Sequence, residues 1–139
     1  MTAKKPVSVC PSHLKLLNYE GSEGVLLGVH CSQCGEYFFG QVLFCQNCSS
    51  KDLESVELSK QGILYSYTIV RVPPPGWQGV VPYAIGQVEL PEGPHVLSEV
   101  VGCPFDDIKI GMKLGLDLVI GGQDPQSNQV IVYKWRPLQ

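Results

Sequence analysis

Apolar and polar positions alternate most clearly in the second half of the chain, and the pattern predicts five short β-strands. Each segment is rich in β-branched and aromatic residues, which favour strands. Turns rich in proline and glycine separate the segments, and the chain contains 15 glycines and 11 prolines. This composition favours short strands and turns over long helices. The predicted strands are Ile63–Val72, Tyr83–Leu90, His95–Val101, Lys113–Ile120 and Gln129–Lys134.

Five short strands in so short a segment form either a small closed barrel or a sandwich. Closure leaves no exposed strand edge, so a barrel is the better solution at this size. We therefore expect a five-stranded oligonucleotide/oligosaccharide-binding (OB) barrel in a mostly β protein. Cys103–Gly111 is long enough for one helical turn, and Gly121–Asn128 is expected to form a hairpin loop.

Four of the six cysteines form two C-x2-C pairs, Cys31/Cys34 and Cys45/Cys48, with ten residues between them. Each C-x2-C loop turns two thiolates toward one point, and two such loops match tetrahedral zinc. Four thiolates leave no coordination position for water or substrate, so the predicted zinc ion is structural, one per chain. Two disulfides, a redox-active C-x2-C or iron in an S4 site are the alternatives.

The residues between the two cysteine pairs are apolar and aromatic. They are expected to form a β-hairpin beside the metal from Tyr37, Phe38, Val42, Leu43 and Phe44. The predicted organisation is an N-terminal arm at 1–29, a zinc ribbon at 30–50, and an OB domain with a C-terminal tail at 51–139. The arm is predicted to contain a short helix or a hairpin. Cys10 and His13 have a C-x2-H spacing, but an unpaired thiol is the simpler interpretation of Cys10.

Charge and known motifs limit the function. The net charge is −3, and the chain from Gly62 onward has five basic and seven acidic residues. This balance argues against a nucleic-acid backbone as partner. The sequence has no G-x-S-x-G, H-E-x-x-H or glycine-rich phosphate motif, so no autonomous enzymatic activity is expected. It also has no signal-peptide core and no apolar run long enough to span a bilayer, which predicts a cytoplasmic protein.

Two segments have the composition of binding surfaces. The loop VPPPGWQGVVPY contains Pro74 and Trp77, and the tail KWRPL contains Lys134, Trp135 and Arg136. Tryptophan is enriched at interface hot spots, and prolines lower the entropy lost when a loop is fixed. These segments are therefore candidates for contact with a protein or an acyl-CoA. The alternative is that both tryptophans fill the ends of the barrel.

The order of motifs resembles the acyl-CoA-associated zinc-ribbon/OB-fold proteins of domain of unknown function family 35 (DUF35). The motifs are C-x2-C-G, C-x2-C, GILYSYTIVRVPPP, PYAIGQVELPEG, LSEVVGC, IGMKLGLDL and KWRP, and they cover residues 25–137. The resemblance implies a rubredoxin-like zinc ribbon followed by an OB barrel, with the four paired cysteines as zinc ligands. The chain departs from the family pattern at Phe39–Gln41, where prolines are common, and its N-terminal helical segment is short.

The resemblance also implies a function. Members of the family assemble as small subunits with thiolase-superfamily enzymes or with MaoC-like enoyl-CoA hydratases. The expected role is a non-catalytic accessory subunit that supports thiolysis or C–C cleavage of 3-oxoacyl-CoA, for example in the benzylsuccinate pathway of anaerobic toluene degradation. The expected partner is a thiolase-like large subunit. The residues expected at a partner or acyl-CoA surface are Tyr37, Phe38, Phe39, Pro74, Trp77, Lys134, Trp135 and Arg136. A single-stranded nucleic-acid-binding OB protein and an autonomous acyl-CoA-binding module are the remaining alternatives.

Overall fold

The computed structural model describes residues 6–77 and 79–138. Parts of the predicted arm (1–5), of the proline-rich loop (Gln78) and of the tail (Gln139) lie outside the described residues. The strands are β1 Val7–Ser8, β2 Leu14–Leu16, β3 Gly24–Cys31, β4 Tyr37–Phe39, β5 Leu53–Glu57, β6 Gln61–Val70, β7 Tyr83–Glu89, β8 His95–Val100, β9 Lys113–Gln123 and β10 Gln129–Pro137.

Strands β6 to β10 form a closed five-stranded barrel. Antiparallel pairing joins β6 to β7, β7 to β8, β9 to β10 and β6 to β9. A short parallel contact between β10 and β8 completes the closure, and β1 continues along the same edge of β10. The predicted OB barrel is confirmed, and each predicted barrel strand overlaps one observed strand. The predicted helical turn is a 3-10 turn at Phe105–Asp107.

The N-terminal segment forms a second, smaller sheet around β3. Strands β2 and β4 follow one another along one edge of β3, and β5 pairs with the other edge. The arm therefore folds as a hairpin of β2 and β3, one of the two forms expected from the sequence. The predicted hairpin between the cysteine pairs is wrong in detail, because Tyr37–Phe39 pairs with β3 and residues 42–44 lie outside any strand.

One continuous apolar core joins the small sheet to the barrel. Leu14, Leu26 and Leu58 come from the N-terminal region and its connection to the barrel, and they pack in the same cluster as the barrel residues. The barrel contributes, among others, Leu64, Val88, Val96, Leu114 and Trp135. Apolar burial is the main favourable term in folding. The cysteine-bearing sheet is therefore fixed to the barrel by packing as well as by chain connection.

Candidate metal centre

The two C-x2-C loops have the same backbone form. In the first loop the amide of Gly35 donates to the carbonyl of Cys31 at 2.9 Å, and in the second the amide of Ser49 donates to the carbonyl of Cys45 at 2.8 Å. Gly35 has φ +85° and Ser49 has φ +68°, so both loops turn back through the left-handed region. Glycine adopts that conformation without steric cost, whereas serine does not.

The loops bring four sulfur atoms together at the end of β3. All four Sγ atoms lie within 4.8 Å of one another, with Cys31–Cys48 at 3.6 Å and Cys34–Cys45 at 3.5 Å. A tetrahedral ion with Zn–S bonds of about 2.3 Å needs sulfurs about 3.8 Å apart. A disulfide needs about 2.05 Å. The separations fit four thiolates around one metal ion, and all six cysteines are free thiols.

Hydrogen bonds and burial give two cysteines of the cluster very different pKa values. The Asn47 side chain, followed by the amide of Glu36, lowers the pKa of the Cys34 thiol to about 6. The Ser50 amide lowers the pKa of Cys48, but burial and the neighbouring sulfurs raise it by more, and the net value is about 12. The sulfur of Cys45 accepts the amides of Asn47 and Cys48, each at 3.4 Å.

Asp52 holds the first cysteine loop in place. Its carbonyl accepts the amide of Ser32 at 3.0 Å and the Ser32 hydroxyl at 2.9 Å. Its carboxylate accepts the side-chain amide of Gln33 at 3.0 Å. Asp52 was not singled out from the sequence, because nothing in its spacing from the cysteines distinguishes it from an ordinary loop aspartate.

The predicted surface residues of β4 are only half exposed. Tyr37 packs against the core and its ring lies 4.5 Å from that of His30. Phe39 also packs against the core, with its ring 6.3 Å from that of Tyr133. Phe38 is half-buried on the opposite face of the strand. The loop that follows is much more open, since the side chain of Leu43 is 90% exposed and that of Phe44 is exposed as well.

The proline-rich loop is exposed around a stacked aromatic pair. Trp77 stacks on Tyr83 with ring centroids 4.3 Å apart, and its indole N–H donates to the carbonyl of Val80 at 3.4 Å. Pro74 is exposed, and Val72 and Val80 are more than 80% exposed. Large apolar side chains in water are often part of binding surfaces when they cluster.

The three predicted residues of the C-terminal tail have different environments. Trp135 was expected at a surface, and this is wrong, because its side chain is 0% exposed within the barrel core. Lys134 donates to Glu99 at 2.9 Å, and the guanidinium of Arg136 pairs with Asp117 at 2.9 Å. Both cations are therefore already neutralised by partners on the same barrel.

No helix among residues 6–77 and 79–138 is long and apolar enough to cross a membrane.

The chain is similar to known proteins over most of its length. Residues 55–119 match the family model for ChsH2, C-terminal OB-fold domain. A DUF35 domain-containing scaffold protein of Methanocaldococcus jannaschii is 31% identical over 82% of both chains. The benzoylsuccinyl-CoA thiolase subunit BbsA of Geobacter metallireducens is 34% identical over 86% of this chain and 79% of that protein.

A solved structure has the same fold. A chain of the Ltp2-ChsH2(DUF35) aldolase superposes with a TM-score of 0.66 and 32% identity, over 81% of this chain and 84% of that one. Identity of 31% over 82% of both chains, together with the four-cysteine cluster and the OB barrel, identifies the family. The chain therefore belongs to the DUF35 family.

Proposed function

We propose that this chain is a non-catalytic accessory subunit of a thiolase-superfamily enzyme, in which it supports cleavage of a C–C bond in an acyl-CoA. The observation that carries the proposal is the identity to a benzoylsuccinyl-CoA thiolase subunit over 79% of that subunit. The similarity to a chain of the Ltp2-ChsH2(DUF35) aldolase supports it, because that structure is also named as an assembly. Each comparison covers more than four fifths of this chain, which is more than the barrel alone.

The chemistry of the cysteine cluster supports an accessory role. Four thiolates around one ion form a closed coordination sphere, and a catalytic zinc needs an open position. We propose zinc as the ion, because an all-thiolate tetrahedral site suits zinc and the loops show the zinc-ribbon form. Cys31, Cys34, Cys45 and Cys48 are its ligands, and the ion holds the end of β3 and the two loops together.

Two exposed apolar surfaces are available for the large subunit. The first is the ribbon tip, defined as Leu43 and Phe44, which extends between the two cysteine loops. The second is the β6–β7 loop around Val72, Pro74 and Val80. Interfaces bury apolar anchors of this kind, and a proline-rich loop loses little entropy when it docks. We propose that the ribbon tip contacts the large subunit and that the β6–β7 loop faces the acyl-CoA entrance.

We propose that contact with CoA involves the β6–β7 loop more than the tail. Trp77 and Pro74 present flat apolar surface there. Lys134 and Arg136 are ion-paired with Glu99 and Asp117, so a CoA phosphate would have to displace a carboxylate from either cation. Exchange of one ion pair for another of similar exposure yields little net free energy.

The test is co-expression with a thiolase-superfamily large chain from the same genome. We expect the two chains to purify together and the isolated small chain to show no thiolysis of a 3-oxoacyl-CoA. The double variant Leu43→Ser/Phe44→Ser should weaken the association by tenfold or more, on the order of the cost of losing two interface anchors. Ile110→Ser is the matched control, because Ile110 is an exposed apolar residue outside both surfaces.

Full thiolase activity of the large chain alone would contradict the accessory role. Co-purification with an enoyl-CoA hydratase would instead support the alternative partner.

A further inference from the structure

Cys10 and His13 form a close pair in the turn between β1 and β2. The Sγ atom of Cys10 lies 2.9 Å from Nδ1 of His13. The carbonyl of Cys10 accepts the amides of His13 at 2.9 Å and Leu14 at 2.8 Å, so the backbone makes a tight turn at this point. The fully buried Leu14 anchors the turn in the core. The C-x2-H spacing noted in the sequence therefore places a thiol and an imidazole side by side.

The imidazole of His13 is held in one orientation. Its ring packs on Phe39 with centroids 4.9 Å apart. It also lies against Gly40, where a Cβ atom would collide with Nε2 of the ring. Only glycine at position 40 leaves room for the ring. Packing thus fixes the plane of the ring, and the ring presents Nδ1 to the sulfur of Cys10.

A thiol next to an imidazole has a defined reactivity. A neutral histidine with its proton on Nε2 uses Nδ1 as an acceptor, and that atom can take the thiol proton. The thiolate is the nucleophilic form of cysteine, and an adjacent base raises its population. Cys10 is half-buried, so part of its surface faces solvent. The hydroxyl of Ser12, 3.3 Å from the sulfur, is a further polar neighbour.

The other thiols of the chain have different environments. Four belong to the metal cluster, and a bound metal uses their sulfur lone pairs. Cys103 is half-buried, and burial, followed by the charge of Asp107, raises the pKa of its thiol. Cys10 is thus distinguished by its partner, since its sulfur contacts a histidine, whereas the charge that acts on Cys103 is that of a carboxylate.

We propose that Cys10 is a nucleophilic thiol, with His13 as its base, which forms mixed disulfides with small-molecule disulfides. The thiol proton passes to Nδ1 of His13, and the thiolate attacks one sulfur of the small disulfide. The new Sγ–S bond forms as the old S–S bond breaks, and its electron pair leaves on the second sulfur, which takes the proton from His13. Cys10 is oxidised and the small disulfide is reduced to one free thiol.

Disulfide exchange suits this pair better than acyl transfer. Attack on sulfur needs a thiolate and a line of approach, both of which a half-exposed Cys–His pair supplies. Acyl transfer also needs hydrogen-bond donors aimed at a developing oxyanion. The amide of Cys10 itself already donates to the Ser8 hydroxyl at 3.2 Å. Residue 11 is a proline and has no amide hydrogen to contribute.

The test uses the metal-loaded full chain with oxidised glutathione as probe, followed by intact-mass and peptide mass spectrometry. We expect one adduct, mapped to Cys10, and none in Cys10→Ser. His13→Asn should slow the reaction by roughly tenfold or more, because asparagine keeps a polar atom near the sulfur but cannot take its proton. Metal content and circular dichroism of each variant control for folding.

A second comparison does not depend on any variant folding. The reaction of Cys10 in the folded wild-type chain is compared with that of the same thiol in chain unfolded by urea at the same pH. We expect the folded chain to react faster, because only folding pairs the thiol with His13. An equal or slower folded rate, an unchanged rate in folded His13→Asn, or an adduct on Cys103 would overturn the proposal.

Discussion

Trp135 of β10 lies directly opposite Val100 of β8, in the parallel contact that closes the barrel. Both side chains are buried in the core. Trp135→Ala should lower the free energy of unfolding by about 3–5 kcal/mol, since it removes a large buried side chain at the closure. Urea denaturation of the metal-loaded protein measures it. Trp135→Phe should cost less, because within the described part of the chain the indole N–H has no hydrogen-bond partner to lose.

Loss of one cysteine ligand should release the metal. We expect one zinc per chain by inductively coupled plasma mass spectrometry and almost none in Cys31→Ser, because a serine hydroxyl is a poor replacement for a thiolate. Cys103→Ser is the control, since Cys103 lies outside the cluster and should leave the metal in place. A Cys31→Ser protein that kept its zinc and its stability would contradict the assignment of the four ligands.

Metal affinity should rise with pH. In the metal-free protein the pKa of Cys48 is about 12, so at neutral pH this thiol carries a proton that the metal must displace. Each unit of acidification should then weaken binding about tenfold for each proton displaced. Below pH 6 Cys34 also becomes protonated, since its pKa is about 6, and the dependence should steepen. Competition with a chromophoric chelator between pH 5.5 and about 8 measures this slope.

Substitutions of Ser49 and Gly35, the positive-φ residues of the two cysteine loops, should have opposite effects on stability. Ser49→Gly should stabilise the metal-loaded protein by about 0.5–1 kcal/mol, because it relieves a serine at φ +68°. Gly35→Ala should destabilise it by a similar amount through backbone conformation alone, since no atom lies near the added Cβ. Thermal unfolding of both variants compares the two loops. A loss of stability in Ser49→Gly would show that the hydroxyl has a role of its own.

The barrel could be predicted from local pattern because its strands alternate between core and solvent and end at proline or glycine. The metal cluster could be predicted because its spacing is set by loop geometry. The small sheet was harder to predict, because β1, β2 and β4 have two or three residues each, too few for a periodic signal. Strand β3 also continues into the first cysteine loop, so no composition change marks where arm becomes ribbon.

The environments of single side chains required the three-dimensional structure. Trp135 stands between two cations in the sequence and suggests a surface, yet the alternation of β10 turns it inward while Lys134 and Arg136 face out. The pairing of Cys10 with His13 was visible as a spacing. Its significance depends on the close approach of Gly40 and Phe39, which come from a strand and a turn more than 25 residues away.

Strand β3 has one end in each part of the molecule. Leu26 is in the shared core, and Cys31, five residues further on, is in the metal cluster, a distance of about 16 Å at roughly 3.3 Å per residue. Hydrogen bonds to strands on both edges stiffen this span. A protein that binds the metal-bearing end of β3 therefore has the barrel held at a fixed distance and angle from it. Association does not have to immobilise a hinge between the two parts. The conformational entropy that a flexible tether would lose on binding is lost already when the chain folds.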